Sequence, residues 1–272
     1  MDLHGGVRRL VVALVAASAL VGAGTASAAT IYHTPPSTGP LSLLGHIGND
    51  TVTSTNWSGY AVGAASKFSD VVGSWVEPTA TCSTSGASYA AFWDGIDGYT
   101  SSTVEQLGTD SDCLGAGRPN YYAWYEMYPA GSVSLPTAQY PVKPGDTLTA
   151  EVKVASGGFM YTLSMTSSEG WTFTTSKFRL FPARSSAEMI AESPEICSIT
   201  CSIASLADFG TVNFSGVAAA TGGADSPFDT FTAASGPHQI IGETSGKVVR
   251  ASPSPLTPSA GGDAFSITWE HS

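Results

Sequence analysis

Residues 146–180 read DTLTAEVKVASGGFMYTLSMTSSEGWTFTTSKFRL. Apolar side chains recur at every second position, at Leu148, Ala150, Val152 and Val154 and again at Tyr161, Leu163 and Met165. A period of two is the signature of a strand with one buried face. The SGG and SSEG stretches between the runs are turn chemistry. Three consecutive antiparallel strands are the expectation here.

The same signals continue in both directions. Upstream lie WSGYAV (57–62), VVGSWVEP (71–78), SYAAFWDGIDGY (88–99) and NYYAWYEMYP (120–129). Downstream lie GTVNFSGVAAAT (210–221), HQIIGETSG (238–246) and DAFSITWEHS (263–272). Strands spaced by roughly 10–15 residues, with Gly, Pro and Asp between them, predict an all-β antiparallel β-sandwich of jelly-roll or concanavalin-like type. No segment carries a 3.6-residue period, no linker divides the region and no repeat is visible, so one domain over 56–272 is expected.

The N-terminus reads differently. Arg8-Arg9 precede a compact apolar run from Leu10 to Val21, and Ala26-Ser27-Ala28 follows. The run is too short to span a bilayer. The pattern predicts a signal peptide over 1–28, cleaved after Ala28, and a secreted, extracellular protein. Residues 29–55, with TPPSTGP at 34–40, predict a pro-segment or flexible arm. The four cysteines, Cys82, Cys113, Cys197 and Cys201, suit disulfides in an exported chain, with three pairings possible. Proximity along the chain favours Cys82–Cys113 and Cys197–Cys201. Their spacing does not suit a metal, and none is expected, nor any cofactor.

The chain holds 22 acidic and 11 basic residues, a net charge of −11. That balance argues against nucleic-acid and anionic-membrane partners. So few basic groups also leave little unopposed positive charge once carboxylates protonate, which suits acid conditions.

Residues 185–195, SSAEMIAESPE, carry Glu188, Glu192 and Glu195. The β context and Pro194 favour a strand, with Glu188, Ile190 and Glu192 on one face and Met189 and Ala191 packed inward. A solvated strand face is the plain reading of those glutamates. In NYYAWYEMYP, Tyr122, Trp124 and Glu126 share a face, as in a groove for peptide or sugar. Histidines are few, and no G-x-S-x-G, D-[ST]-G or HExxH motif occurs, so a serine triad, an aspartic dyad and a zinc peptidase are disfavoured.

Taken in order, several short stretches resemble the glutamic peptidase (eqolisin) family. They are Asn56-Trp57-Ser58-Gly59, Trp75-Val76, Phe92-Trp93 with Gly95-Ile96-Asp97-Gly98, Gln106 in VEQLGTD, Ala123-Trp124-Tyr125-Glu126, Ala187-Glu188 through Glu192, and Ala207-Asp208-Phe209-Gly210. The resemblance spans about Asn56 to Glu270. It implies a two-sheet sandwich, a secreted acid endopeptidase acting on protein or peptide substrates, and a catalytic pair at Gln106 and Glu192. It also implies Trp93, Asp97, Trp124 and Glu126 as supporting groove residues, with Glu188 and Glu195 outside the chemistry. Met189 stands where the family often has tryptophan, and Asp94 where it has an apolar residue. A monomer is expected, since nothing demands a partner. The rival readings are a jelly-roll glycoside hydrolase with Glu126 and Glu192 as its carboxylates, and a carbohydrate-binding module on the aromatic face.

Overall fold

The computed structural model describes Met1 and residues 29–36, 51–231 and 238–272. The expected signal peptide beyond Met1 and the 37–50 part of the expected arm lie outside the described residues. The strands are β1 (Thr30–Tyr32), β2 (Thr51–Ser54), β3 (Trp57–Gly63), β4 (Asp70–Val76), β5 (Ala91–Ile96), β6 (Val104–Cys113) and β7 (Pro119–Tyr128). Next come β8 (Val133–Ser134), β9 (Thr147–Val154), β10 (Met160–Ser167), β11 (Thr172–Phe178), β12 (Ser186–Glu192), β13 (Glu195–Cys197) and β14 (Cys201–Ile203). The last are β15 (Thr211–Ala220), β16 (Ser226–Pro227), β17 (His238–Ser245), β18 (Val248–Pro253), β19 (Thr257–Ser259) and β20 (Gly262–Trp269). A single 3-10 turn, Phe228–Thr230, is the only helical element among the described residues.

The strands form two facing antiparallel sheets, the sandwich that the alternation predicts. One has the order β8-β7-β6-β5-β12-β3-β17. The other has the order β11-β10-β9-β4-β15-β20. Strand β18 pairs with both β17 and β20 and joins the sheets along one edge. The opening stretch, 146–180, supplies β9, β10 and β11 in register, with Leu163 opposite Val152.

The core fills the space between the sheets. Met189, Phe92, Leu107 and Ala123 come from the first sheet, and Trp75, Val152, Leu163 and Phe214 from the second. Alternation then sends the intervening residues of the first sheet to its outer face. A second apolar cluster forms there from Trp57, Ala61, Ala91, Trp93, Val104, Tyr122, Trp124 and Ile190. The first sheet is therefore buried on both faces, and β12 is buried along its whole length. The glutamates of β12 are not on a solvated face: Glu188 and Glu192 are both fully buried.

The cysteine pairs are Cys82–Cys113 and Cys197–Cys201. The first ties the chain ahead of β5 to the end of β6, and the second closes the β13–β14 hairpin.

The N-terminal segment is not loose where it is described. Strand β1 pairs with β13, with Tyr32 opposite Glu195 and Thr30 opposite Cys197. Strand β2 joins β17 in parallel. The proline-rich composition signalled no core strand; a three-residue edge strand falls below what such a pattern resolves.

Asp94 faces the core between Leu107 and Met189 of the neighbouring strands. Neither of its carboxylate oxygens meets a hydrogen-bond partner among the described residues. Burial, followed by the nearby charges of Asp70 and Glu151, pushes its pKa well above the usual carboxylate range. The folded state thus holds this proton more tightly than the unfolded chain. The stability it contributes is intact below the unfolded pKa and fades as pH rises toward the folded one. Asp94→Leu is expected to raise unfolding stability at pH 7 by about 1–3 kcal/mol, and by less at pH 3. Thermal melts at the two pH values check this, and equal gains at both would contradict it.

Candidate active site

The outer face of the first sheet is built by register. On β6, Val104, Gln106, Gly108 and Asp110 alternate onto that face; on β7, Tyr122, Trp124 and Glu126 do the same. Gln106 lies directly opposite Glu126, and Asp110 opposite Tyr122. On β5 the face carries Ala91 and Trp93, and on β12 it carries Glu188, Ile190 and Glu192, with Glu192 opposite Ala91. Gly108 leaves room between the rings: a Cβ there would run into the Phe92 carbonyl and the Trp93 side chain.

Residues 33 and 34 lie against this face, and both are buried. The His33 imidazole stacks on Trp124, ring centroids 3.5 Å apart and planes 1° from parallel. Its Nδ1 is 3.0 Å from Glu126 Oε2, and its Nε2 is 3.3 Å from Asp110 Oδ1. The His33 backbone N–H also donates to Glu126 Oε2, at 2.8 Å. Trp124 Nε1 and the Tyr122 hydroxyl both donate to Asp110. Burial alone would strip the proton from such a histidine. Here Asp110 and Glu126 overcome that penalty and push its pKa up to about 10. The ring is an imidazolium, held by two carboxylates and a tryptophan face.

The peptide group joining His33 to Thr34 is gripped at both ends. Gln106 Nε2 donates to the His33 carbonyl at 2.6 Å. A carbonyl only accepts, so this contact fixes which end of the Gln106 amide faces it. The Thr34 N–H donates to Glu192 Oε1 at 2.9 Å. Glu192 Oε2 accepts from Trp93 Nε1 at 2.8 Å, and Asn56 Nδ2 stands 3.4 Å from Oε1. Trp57 Nε1 and Asn56 Nδ2 both donate to the Thr34 carbonyl. Just beyond Glu192, the Ser193 hydroxyl donates to Glu243, which pairs with Arg250 at 3.0 Å. Burial, and then the Glu126 charge, pushes the Glu192 pKa well above the usual range, against the opposing pull of His33.

Of the residues singled out in the sequence, Gln106, Glu192, Trp93, Trp124 and Glu126 converge on this one peptide group and its neighbours. Asp97 does not. It sits in a turn with φ 74° and accepts hydrogen bonds from the Arg184 and Ser185 backbone N–H groups at 2.6 and 2.8 Å. It braces the entrance to β12, the end opposite Glu192. Glu188 is also remote: its Oε1 accepts from the Tyr99 N–H at 3.4 Å. Glu195 lies in β13, beside β1. Sequence reasoning missed His33, Thr34 and Asp110. Asp110 shares the alternation of Gln106, and that period was the available signal for it.

An amide, a carboxylate and an aromatic groove thus lie together on one face of a two-sheet sandwich. Residues 55–252 match the Peptidase A4 family, and the chain belongs to that family of peptide-bond hydrolases. It is 30% identical over 192 residues to aspergillopepsin-2 of Aspergillus niger, an alignment covering 62% of this chain and 66% of that protein. The fold is similar to a crystal structure of scytalido-glutamic peptidase with a transition state analog inhibitor. The TM-score there is 0.65 and the identity 24%, over 79% of this chain and 98% of the other. It is similar also to SCP-B, an eqolisin solved in complex with the tripeptide Ala-Ile-His, with a TM-score of 0.62 and 23% identity over 79% and 98% of the two chains.

Carboxyl groups elsewhere share the pattern of raised pKa. Burial outweighs hydrogen bonds from Ser111, Thr109 and Trp75 and lifts Glu77 to about 8. Burial likewise lifts Glu105 to about 7 despite Arg179, Glu243 to about 7 despite Arg250, and Asp70 to about 6 despite Lys153. All four bind protons more tightly folded than unfolded. Their contribution is complete below about pH 4 and is lost as pH rises through 6 to 8. His33 adds to the decline at its upper end: its contribution is complete below the unfolded pKa of 6.5 and is lost as pH rises from there through about 10. The melting temperature is therefore expected to fall by on the order of 10 °C between pH 4 and pH 8. Calorimetry across that range is the check, and a melting temperature that rises with pH would contradict the account.

Proposed function

We propose that this chain is a secreted acid endopeptidase working through a Gln106–Glu192 pair. The observation that carries the reading is the His33–Thr34 peptide group, with its carbonyl on Gln106 and its nitrogen on Glu192. Those are the two ends of a peptide bond that hydrolysis must serve. Gln106 donates to the oxygen that becomes an oxyanion when water adds to the carbonyl carbon. Its amide does not titrate in acid, so the donor persists at any working pH. Glu192 takes the proton from the attacking water and delivers it to the departing nitrogen. Trp93 orients the Glu192 carboxyl through the hydrogen bond to Oε2. Glu126, Asp110 and Trp124 form the wall that receives the side chain on the acyl side of the bond.

Residues 29–55 act in this reading as a pro-segment, since Thr30–Thr34 cover the groove that a substrate would use. The signal-like stretch over 1–28 and the two disulfides support an extracellular destination, and a monomer suffices for the site. A glycosidase pairing Glu126 with Glu192 is less favoured, because Glu126 is committed to His33 and the amide of Gln106 would have no task.

Glu192→Gln keeps shape and hydrogen bonding but removes the base; it is expected to fold normally and lose roughly 10²–10⁴ in turnover of denatured protein. Gln106→Glu is expected to lose roughly 10²–10³, with the greatest loss where the new carboxylate is ionised. Wild-type activity should decline toward pH 7, as Glu77, Glu105 and Glu243 lose their buried protons and the fold that positions the pair loses stability. Turnover assays from pH 2 to pH 7 read all three, and full proteolysis by pure Glu192→Gln would falsify the mechanism.

A further inference from the structure

A second cleft lies away from the groove, and where the groove carries carboxylates this one carries cations. Residues 177–184 read KFRLFPAR, basic and apolar side chains interleaved. Their last turn meets Lys67 and the loop between β9 and β10 to enclose a cleft of about 350 Å³. Phe159, Phe181 and Pro182 give its apolar lining, and Lys67 and Arg184 its charge. We propose that this cleft binds a peptide carboxylate that has an apolar side chain beside it. It sits by the Ser186 end of β12, a strand length of roughly 20 Å from Glu192. The site is thus separate from the groove, and the inference does not depend on the peptidase reading.

Three observations carry it. First, the charges are unspent. The chain has 22 acidic residues to 11 basic ones, so a cation has many partners to choose from. Lys143, Lys153, Arg179 and Arg250 each pair with a carboxylate. Lys67 and Arg184 form no ion pair among the described residues, yet they share one cleft. Arg118 and Lys247, likewise unpaired, lie on separate turns, β6–β7 and β17–β18. Lys67 Nζ donates to the Pro182 carbonyl at 3.4 Å and has two further protons to give. Arg184 Nε is buried and meets no partner among the described residues. Second, the guanidinium is placed in advance. A Cβ at Gly158 would stand 3.3 Å from Arg184 Nη2 and 3.4 Å from its Cζ, so the flat group lies against a residue that has no side chain. Such placement lowers the cost of binding. Third, an aromatic ring is held outward beside the cations. Phe181 is 84% exposed and has a φ of 54°, a costly conformation for a bulky residue. Phe178 and Leu180 are exposed next to it, and Phe159 stacks on Phe178 with centroids 6.2 Å apart. Exposed apolar surface of this extent marks a binding face.

The ligand must match both halves of the cleft. Two cations call for an anion, and the aromatic wall calls for an apolar group joined to it. The net charge of −11 repels nucleic acid and other polyanions. The volume is that of a small-ligand site, not of a surface that lies on a lipid layer. A carboxylate offers two oxygens in one plane, which a guanidinium and an ammonium can both engage. Polypeptides present a carboxylate beside an apolar side chain in two places: at a chain end, and at an Asp or Glu with an apolar neighbour. In either case the carboxylate is held by Lys67 and Arg184, and the neighbouring side chain lies on Phe181 and Phe159.

Calorimetric titration of the full chain at about pH 5.5, where carboxylates are ionised, tests this. The probes are N-acetyl-Leu-Phe with a free carboxylate, N-acetyl-Glu-Phe amide, and N-acetyl-Leu-Phe amide, which has no charge. At least one charged peptide is expected to bind at one site per chain, at least ~10-fold more tightly than the uncharged amide. Tighter binding of the first identifies a chain end as the ligand, and tighter binding of the second an internal acidic residue. Lys67→Gln and Arg184→Gln should each weaken the charged peptide by at least ~10-fold. If Arg184→Gln fails to fold, Lys67→Gln decides, because Lys67 is exposed. Replacing Phe by Ala in the peptide should weaken binding to the wild type and make no difference to Phe181→Ser. The inference is overturned if the charged peptides bind no better than the amide, or if their binding ignores both Lys67→Gln and Arg184→Gln. Inorganic phosphate that binds as tightly as the peptides overturns it too, since a bare anion site would then suffice. So does retention on phosphatidylglycerol vesicles without peptide binding. Because binding alone is read, each result holds whether or not Gln106 and Glu192 hydrolyse a peptide bond.

Discussion

Strand β12 has a hydrogen-bonded neighbour on each side, β3 and β5, and apolar groups above and below. Its side chains therefore have two destinations and no third. Ala187, Met189 and Ala191 enter the core between the sheets; Glu188, Ile190 and Glu192 enter the outer face. A shift of one residue in register would exchange the two sets and bring glutamates into the core. Everything at the site inherits this constraint. Glu192 reaches the groove because Met189 is locked inward, and Trp93 meets it because β5 is in register alongside.

Many polar groups on the groove face are paired with one another, although Gln106 Oε1 and Glu126 Oε1 meet no partner among the described residues. Asp110 takes hydrogen bonds from Trp124 and Tyr122, Glu192 from Trp93, and Glu126 from His33. Trp124, Tyr122 and Trp93 are fixed by strands β7 and β5, so Asp110 and Glu192 are held in place by the sheet itself. The cost is a set of buried carboxyl groups that prefer to keep their protons. At low pH that cost is small, since the medium supplies the protons. The small number of basic residues fits the same condition.

The strands were legible wherever alternation was clean. Residues 146–180 gave three strands and their order, and NYYAWYEMYP gave the right grouping of Tyr122, Trp124 and Glu126. Strand β6 was harder. Its sequence, VEQLGTDSDC, looks polar, yet all ten residues are buried. Some of its polar side chains find partners far along the chain, such as Thr109 and Ser111 on Glu77, and local pattern carries no record of those. Asp110 was lost for that reason. His33 was lost for a stronger one: its carboxylate partners lie 77 and 93 residues away, and a proline-rich neighbourhood reads as an arm. The Gln106 and Glu192 positions came from the order of short motifs, not from any physical period, whereas Glu188 lay on the expected face with its burial unread.

The short hairpin of β13 and β14 has a consequence for any form of the chain that lacks β1. While β1 is in place, β13 is an inner strand with partners on both sides. Without β1, as in the pro-segment reading, β13 would be an open edge, and open edges invite pairing with other copies of the same chain. The hairpin limits that hazard by its size: β13 runs for only three residues and ends at the Cys197–Cys201 bond. An edge that short pairs with the three residues of β1, but offers little template for a growing stack of sheets. The brevity of β13 would thus itself limit aggregation through that edge.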